Sequence, residues 1–579
     1  MLGILRSIKG YSSPATEACA VGVLVAACLI AGIGMSPILN GDEARFAQAS
    51  REMLLNHDWV VPTFAGLPRY DKPILIYWAT AAAFKVFGVT PWAARFPSAI
   101  AAALCAALLA WSARRRWGPG SGVAAGLLLA ASPIFFFEGR TCTADALNLL
   151  WTLIAMLALE HLVAANPSRS AAVVFWAGTA LAVLTKGPVA PLFIVSTLIG
   201  IWALKRSWTM WEGLIAVVLL IAGTLMLGPI LLLFPAAVAS ISFLQKPKKW
   251  HHLQNFRLQW GLLLFFVITL PWFMAAWQAT SGEFFQVAIG RHVVQRGMMA
   301  LEGHGAFPGF YLVTGIILCF PWLASALGAG IETWRERRDA PEKLFLMAWA
   351  LGPLVALELI QTKLVHYWLP SYPALILLAV GWLWTRGPRQ VPRGLVALHI
   401  AGGCLLAAIP LVPAFNFDLI GLQTPAIILS GFLAAATLFG SLKLGRRPIL
   451  ALAISTAGTL AFLTLLFGPF LSEFSLSFLG TRTADAAENH LKRGTEVALY
   501  GLRDEEMLFS LPPETRVFRT PADLPIAEGL LFVARKKDLV RDLSGNAGPH
   551  PQVIERIQGL DLGHGRAGAT VFFRLLEEP

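Results

Sequence analysis

Charge is what this 579-residue chain has least of: only 14% of its residues are Asp, Glu, Lys or Arg, against about a quarter in soluble domains. With 56% hydrophobic residues and a mean hydropathy of +0.64, a soluble enzyme of several cores is excluded. Cysteine is scarce as well. The six (19, 28, 105, 142, 319 and 404) lie in or beside apolar runs and none forms a CxxC pair, so neither a disulfide framework nor a zinc knuckle is indicated. No small-residue cleavage site follows the first apolar run, which Arg6 and Lys9 precede; an uncleaved first span is expected. There is no H-E-x-x-H among the histidines and no evident inverted repeat. What the chain has instead is a recurrence of apolar runs of roughly twenty residues from Val21 to Leu471, each long enough to cross the hydrocarbon layer. That pattern predicts a polytopic all-α membrane protein.

The net charge of +12 is unevenly spread: residues 471–579 carry 13 Lys and Arg against 16 Asp and Glu, so the basic excess belongs to the apolar part. Nucleic acid therefore does not explain it; basic residues beside spans set topology by the positive-inside rule. Spans are expected near 17–39, 92–112, 120–138, 145–164, 171–185, 188–204, 212–227, 229–244, 259–279, 308–330, 343–360, 367–385, 394–414, 424–441 and 447–470. Every second connection is basic, as at Arg114-Arg115-Arg116, Lys205-Arg206, Arg335/Arg337/Arg338 and Arg446-Arg447. This alternation predicts 13 to 15 spans, with the amino terminus inside and the carboxy-terminal domain outside. The two short runs in 212–244 are the weakest pair.

The outer side collects two long non-spanning stretches, 40–91 and 280–307. Residues 73–88 are apolar but too short to span and are expected to lie at the outer interface. Residues 42–55 put Phe46, Ala49, Met53 and Leu54 on one helical face and Arg45, Gln48 and Glu52 on the other, the pattern of an amphipathic juxtamembrane helix. Beyond Leu471, strand-like runs (Glu496–Tyr500, Arg516–Phe518, Leu530–Ala534, Ala569–Leu575) alternate with helix-like ones (Thr483–Arg493, Lys537–Leu543, Gln552–Gln558). A transmembrane domain over 1–470 and a small soluble α/β domain over 471–579 are expected.

The segment richest in chemistry reads Asn40-Gly41-Asp42-Glu43-Ala44-Arg45-Phe46, then Asp58-Trp59, Pro62, Gly66, Pro68 and Asp71-Lys72-Pro73-Ile74-Leu75-Ile76-Tyr77-Trp78. Its plainest reading is local: Asn40 and Glu43 cap a helix, Asp42 favours the helix start, and Trp59, Tyr77 and Trp78 form an interfacial belt. Two further clusters are Glu138-Gly139-Arg140-Thr141 followed by Asp145, and Thr362-Lys363-Leu364-Val365-His366-Tyr367-Trp368-Leu369-Pro370. His251-His252 reads as solvated surface, and His292, His304 and His366 lack metal-ligand spacing. Glu358 reads equally as a buried polar contact or a cavity lining.

Taken in order, these strings resemble the aminoarabinose transferase branch of the protein O-mannosyltransferase superfamily, membrane glycosyltransferases of the GT-C fold. The resemblance implies a sugar donor on a polyprenyl phosphate and an acceptor on the periplasmic side of the bacterial inner membrane, lipid A first among acceptors. It implies Asp42 and Asp145, with Glu43, as the catalytic carboxylates, since acids stabilise a cation-like anomeric carbon or take a proton. It assigns Lys72, Arg45, Arg69, Arg140 and Lys363 to the donor phosphate, and Tyr77, His366 and Tyr367 to substrate. Lys72 stands out because topology needs no lysine on the outer side, whereas snorkelling or attraction to anionic lipid explains any one of the others as well. No cofactor is firmly indicated and no metal ligands are assigned, though a divalent metal is left open.

This chain departs from the family in having Phe46 for Tyr, Ile74 for the second Pro of Lys-Pro-Pro, Thr362 for Ser, and an apparent insertion at 212–244. Loss of a hydroxyl at Phe46 bears on which sugar is bound. Other readings are a transferase acting on protein or another glycan, a flippase for a lipid-linked substrate, and a catalytically dead lipid-binding scaffold. A transporter should carry its charges near the midplane on broken helices; here they cluster at one interface.

Overall fold

The computed structural model describes residues 13–39, 41–164, 168–205, 255–288, 290, 305–336, 340–385, 391–501, 505–525, 530–543, 550–561 and 566–576. The expected 212–244 hairpin, His251-His252, His292, His304 and most of the second outer stretch lie outside them.

The helices that organise the fold are α1 (Pro14–Ile30), α2 (Asp42–Asn56), α3 (Leu75–Phe87), α4 (Pro91–Trp117), α5 (Ser121–Ala130), α6 (Pro133–Glu138), α7 (Asp145–Val163), α8 (Arg169–Lys186) and α9 (Val189–Lys205). They continue with α10 (Leu258–Thr280), α11 (Phe310–Leu318), α12 (Leu323–Glu336), α13 (Pro341–Leu359), α14 (Tyr372–Thr385), α15 (Arg393–Ala407), α16 (Ile420–Leu444) and α17 (Pro448–Leu465). Among the described residues, six helical stretches are long and apolar enough to cross a membrane: α4, α7, α10, Val365–Thr385, α16 and Pro448–Ser475. Shorter apolar helices, α1, α3, α5, α9 and α15 among them, accompany these. Two expected spans are broken in the middle. The run 120–138 divides at Ser132-Pro133 into α5 and α6, and 308–330 divides around Pro321 into α11 and α12. Proline has no N–H for the helical ladder and its ring crowds the preceding turn, and hydropathy alone does not register this.

By its internal packing the chain separates into two units. The first comprises residues 1–31, 70–76 and 96–465. Within it α7 packs on α8, α8 on α10, α9 on α13, and α16 on α17. The α9–α13 seam is built on glycine: a Cβ at Gly352 would lie 2.2 Å from the Ser196 carbonyl oxygen, and one at Gly200 would lie 3.2 Å from that of Ala348. Small residues let helix backbones approach where lipid supplies no hydrophobic drive.

The second unit comprises residues 32–69, 77–95 and 466–579. Its carboxy-terminal part carries α18 (Leu479–Lys492), β1 (Glu496–Tyr500), α19 (Glu505–Ser510), β2 (Val517–Phe518), β3 (Leu530–Arg535), α20 (Lys536–Leu543), β4 (His550–Asp561) and β5 (Arg566–Leu576). The five strands form one sheet in the order β2-β1-β3-β5-β4, parallel across β2-β1-β3 and antiparallel beyond. One expectation fails here: Gln552–Gln558 is strand, not helix. It forms the edge strand β4, paired along its length with β5 and bulged between Val553 and Glu555. Its β-branched Val553, Ile554 and Ile557 suit a pleated surface, and tertiary pairing decides the matter. Leu499, Leu531, Val533 and Phe572 form the core under α18, and Phe64 and Ala65 of the first outer stretch pack against it.

Beyond its first turn the polar face of α2 is packed, with Gln48 and Glu52 buried. Arg51 is buried and donates to the carbonyls of Phe509 (3.1 Å) and Leu511 (2.9 Å). Glu52 accepts from Gln48 Nε2, Thr63 Oγ1 and the Ala65 backbone. The amphipathic pattern thus packs both faces of this helix into its own unit.

Overpacking the α9–α13 seam with Gly352→Leu is expected to destabilise the protein by about 1–3 kcal/mol, measured as a lower melting temperature in detergent. Gly431→Leu, where nothing lies within 4 Å, should change stability by no more than about 0.5 kcal/mol.

Candidate functional site

In the first unit the decisive feature is an antiparallel helix pair. Helix α7 begins at Asp145 and α8 ends at Lys186, where Gly187 turns the chain with φ of 65°. A carboxylate in the first turn of one helix and an ammonium in the last turn of the other each meet the favourable end of a helix dipole. The antiparallel arrangement brings the two together as an ion pair. Both side chains are largely buried, 13% and 8% exposed.

Around this pair three other segments contribute. The end of α6 supplies Glu138, 4% exposed, which accepts from Thr143 Oγ1 at 2.6 Å. A 3₁₀ turn at Val365–Ser371 supplies His366, whose Nδ1 lies 3.6 Å from Glu138 and whose Nε2 lies 3.9 Å from Asp145. The Tyr367 ring lies 5.7 Å from the Lys186 ammonium. From residues 70–76, Lys72 acts electrostatically on Asp145. Glu138, Asp145 and His366 offer ligand atoms all within 4.8 Å of one another. Lys186 stands on one oxygen of the Asp145 carboxylate beside this set.

Two of the cations expected at a donor phosphate are engaged with main chain. Arg140 donates to the carbonyls of Leu29 (2.7 Å) and Ala31 (2.6 Å) at the end of α1. Lys363 donates to the Glu358 carbonyl and lies 3.3 Å from its carboxylate. Glu358 in turn accepts from the backbone of Gly309 and Tyr311. Both cations therefore compensate helix C-terminal carbonyls.

The second unit has a cluster of its own, on α2 and the segments beside it. Asp42 is well exposed, 3.7 Å from Arg45 and 4.0 Å from Arg69. Arg45 binds Glu505 on α19 through two nitrogens, each at 2.6 Å. Burial pushes the Glu505 carboxyl above its ordinary range in spite of Arg45. Arg69 donates to the Tyr77 hydroxyl at 3.1 Å and stands over the Phe46 ring, which packs on Tyr77. Glu43 faces the other way. It is buried, accepts the Leu39 N–H at 2.7 Å, and forms a bidentate pair with Arg95. Arg95 also ties the carbonyls of Ile33, Ser36 and Pro37. The expected cap at α2 is thus a carboxylate reaching back to Leu39, and Gly41 is the N-cap residue. Lys186, Arg95 and Glu505 are the charged partners that the sequence reading did not single out.

A family model described as dolichyl-phosphate-mannose-protein mannosyltransferase matches residues 71–225. The undecaprenyl phosphate-alpha-4-amino-4-deoxy-L-arabinose arabinosyl transferase of Aeromonas salmonicida is 29% identical over 346 residues, 59% of this chain and 55% of that protein. The protein of the same name from Pseudomonas aeruginosa is 28% identical over 338 residues, 58% and 54% of the two chains. The chain thus spans a little over half the length of the curated relatives it matches. The crystal structure of ArnT from Cupriavidus metallidurans bound to undecaprenyl phosphate superposes with a TM-score of 0.70 at 20% identity, covering 96% of this chain and 97% of that one. The fold is GT-C. Within that GT-C architecture the Asp145 cluster sits where α6, α7, α8 and the 3₁₀ turn meet.

Breaking the buried pair from one side leaves a charge without its partner. Lys186→Met is expected to cost about 3–5 kcal/mol, and Asp145→Asn combined with Lys186→Met less than Lys186→Met alone, measured as melting temperatures of the purified proteins.

Proposed function

We propose that this protein is an integral membrane glycosyltransferase that moves 4-amino-4-deoxy-L-arabinose, or a related sugar, from a polyprenyl phosphate to lipid A. One observation carries the reading: the buried set of Asp145, Lys186, His366 and Glu138, with Lys72 acting on it, in a chain of GT-C fold. Similarity to the curated arabinosyl transferases supports this donor and sugar, and lipid A is the acceptor the family resemblance implies. The basic clusters support a cytoplasmic amino terminus and a periplasmic carboxy-terminal domain in a bacterial inner membrane.

In the proposed reaction an acceptor oxygen forms a bond to the anomeric carbon, and the bond from that carbon to the polyprenyl phosphate oxygen breaks with inversion. The electron pair leaves on the phosphate. Lys72, with Lys186 close to Asp145, would neutralise the charge that grows there, a task for fixed cations in a water-poor site. Asp145, held by Lys186, would stabilise the cation-like sugar carbon. His366, within reach of two carboxylates, would orient the sugar. A phosphate acceptor is already an anion and needs no base; the role the family resemblance gives Asp42 is then to orient and stabilise rather than to deprotonate.

Purified protein incubated with labelled polyprenyl-phosphate sugars and lipid A should transfer the label. Asp145→Asn, Asp42→Asn and Lys72→Ala should each lower kcat by roughly 10²–10³-fold, the scale of one lost electrostatic contact. Transfer only to peptide would move the acceptor to protein, and no transfer in any pairing would favour a flippase.

A further inference from the structure

Two arginines of α2 fasten α19 at its two ends, and they do so differently. Arg51 is buried, and its Nη1 donates to the Phe509 and Leu511 carbonyls where α19 ends. Arg45, six residues earlier, holds the start of α19. Its Nε and Nη2 both lie 2.6 Å from one oxygen of Glu505, Oε1. Unlike Arg51, Arg45 is 36% exposed, and its Nη1 lies 3.7 Å from the open carboxylate of Asp42.

The carboxylate of Glu505 is an expensive way to attach one helix to another. Its side chain is 14% exposed, and Oε2 is buried with no hydrogen-bond partner. An apolar side chain of similar volume would hold α19 on α2 without an unsatisfied buried oxygen. The carboxylates that do serve the fold of this unit are saturated. Glu52 accepts from Gln48, Thr63, Ala65 and Gly66. Arg95, 2% exposed, divides its N–H groups between Glu43 and the carbonyls of Ile33, Ser36 and Pro37. Arg45 has five N–H donors, of which Glu505 takes one on Nε and one on Nη2, so that Nη1 is left turned toward Asp42.

We infer that Glu505 is a positioning residue for the transfer reaction: by holding Nε and Nη2 of Arg45 it fixes the guanidinium beside Asp42, and the carboxy-terminal domain thereby supplies a working part of the α2 cluster. This rests on the transferase reading above, in which Asp42 takes part, and on the donor-phosphate role that the family resemblance gives Arg45. An arginine free to rotate gives up rotamer freedom when it engages an anion, whereas one already held does not. Burial pushes the Glu505 carboxyl above its ordinary range, with Arg45 and Arg69 acting to lower it and Asp42 to raise it. The charged form that holds Arg45 is present above this raised pKa and is lost as pH falls through it.

The test is the transfer assay with full-length protein, labelled polyprenyl-phosphate sugar and lipid A. Glu505→Gln keeps the shape and removes the charge. Above neutral pH it is expected to lower kcat/KM roughly tenfold, the difference between a hydrogen bond to a charged group and one to a neutral group. As acid protonates Glu505 in the wild type, the two proteins should converge and the ratio of their kcat/KM values should fall toward one. Arg45→Ala/Glu505→Gln should be no slower than Arg45→Ala alone, since a residue acting through Arg45 then has nothing to position. Glu496→Gln, at an exposed residue of the same domain, should leave transfer unchanged. Undiminished transfer by Glu505→Gln, a ratio that does not vary with pH, or losses that multiply in the double variant would each overturn this inference alone. Absence of transfer by the wild type would overturn the transferase reading and this inference with it.

Discussion

A charge inside an apolar bundle persists only if another charge or a helix end answers it, because desolvation of an isolated ion costs several kcal/mol. The Asp145–Lys186 pair satisfies this condition in two ways at once. Each residue occupies the helix end its sign prefers, and the antiparallel packing of α7 on α8 makes those ends neighbours. Glu138, His366 and Lys72 are gathered about a pair that is already electrically closed. A site of this kind binds a charged ligand by adding to a preformed field, without first creating one, and preorganisation of that sort is what electrostatic catalysis requires.

The same condition explains why several charges with a functional look in sequence are occupied by structure. Glu43 stands next to Asp42 in the richest motif of the chain, yet its carboxylate closes the turn at 33–39 through Arg95. Arg140 and Lys363 answer helix-end carbonyls. Asp42 and Arg45 belong to the other pattern, partly open and adjacent, with the buried Arg69 beside Asp42 and Glu505 as the counter-charge to Arg45. Adjacent residues on one helix thus divide between holding the fold and facing solvent, and neither composition nor spacing separates Asp42 from Glu43.

Much of the architecture was legible because hydropathy and the alternation of basic loops are long-range signals that survive averaging. Short-range features were less so. Pro133 and Pro321 break runs that look continuous, and β4 follows its partner β5 rather than its own helix-like spacing. Lys186 is the instructive omission. The argument that singled out Lys72, a lysine on the side where topology needs none, applies equally to a lysine closing the fifth span at Thr185-Lys186-Gly187-Pro188. Glu505 had no such signal, since it lies 460 residues from Arg45 and only folding makes them partners.

The two ends of α13 show how one bundle supports two kinds of charged surface. At the Glu358 end Lys363 has a carboxylate and a helix-end carbonyl directly upon it. At the Lys343 end, glycine contacts at Gly328 and Gly381 bring the indoles of Trp382 and Trp117 against the backbone, and charges of opposite sign line a space between helices. Filling that space with larger side chains would be the simpler way to stabilise helix packing, since close-packed interiors leave few voids. A cavity walled by tryptophan, kept open by glycine and lined with both signs of charge is therefore a feature that packing alone does not call for.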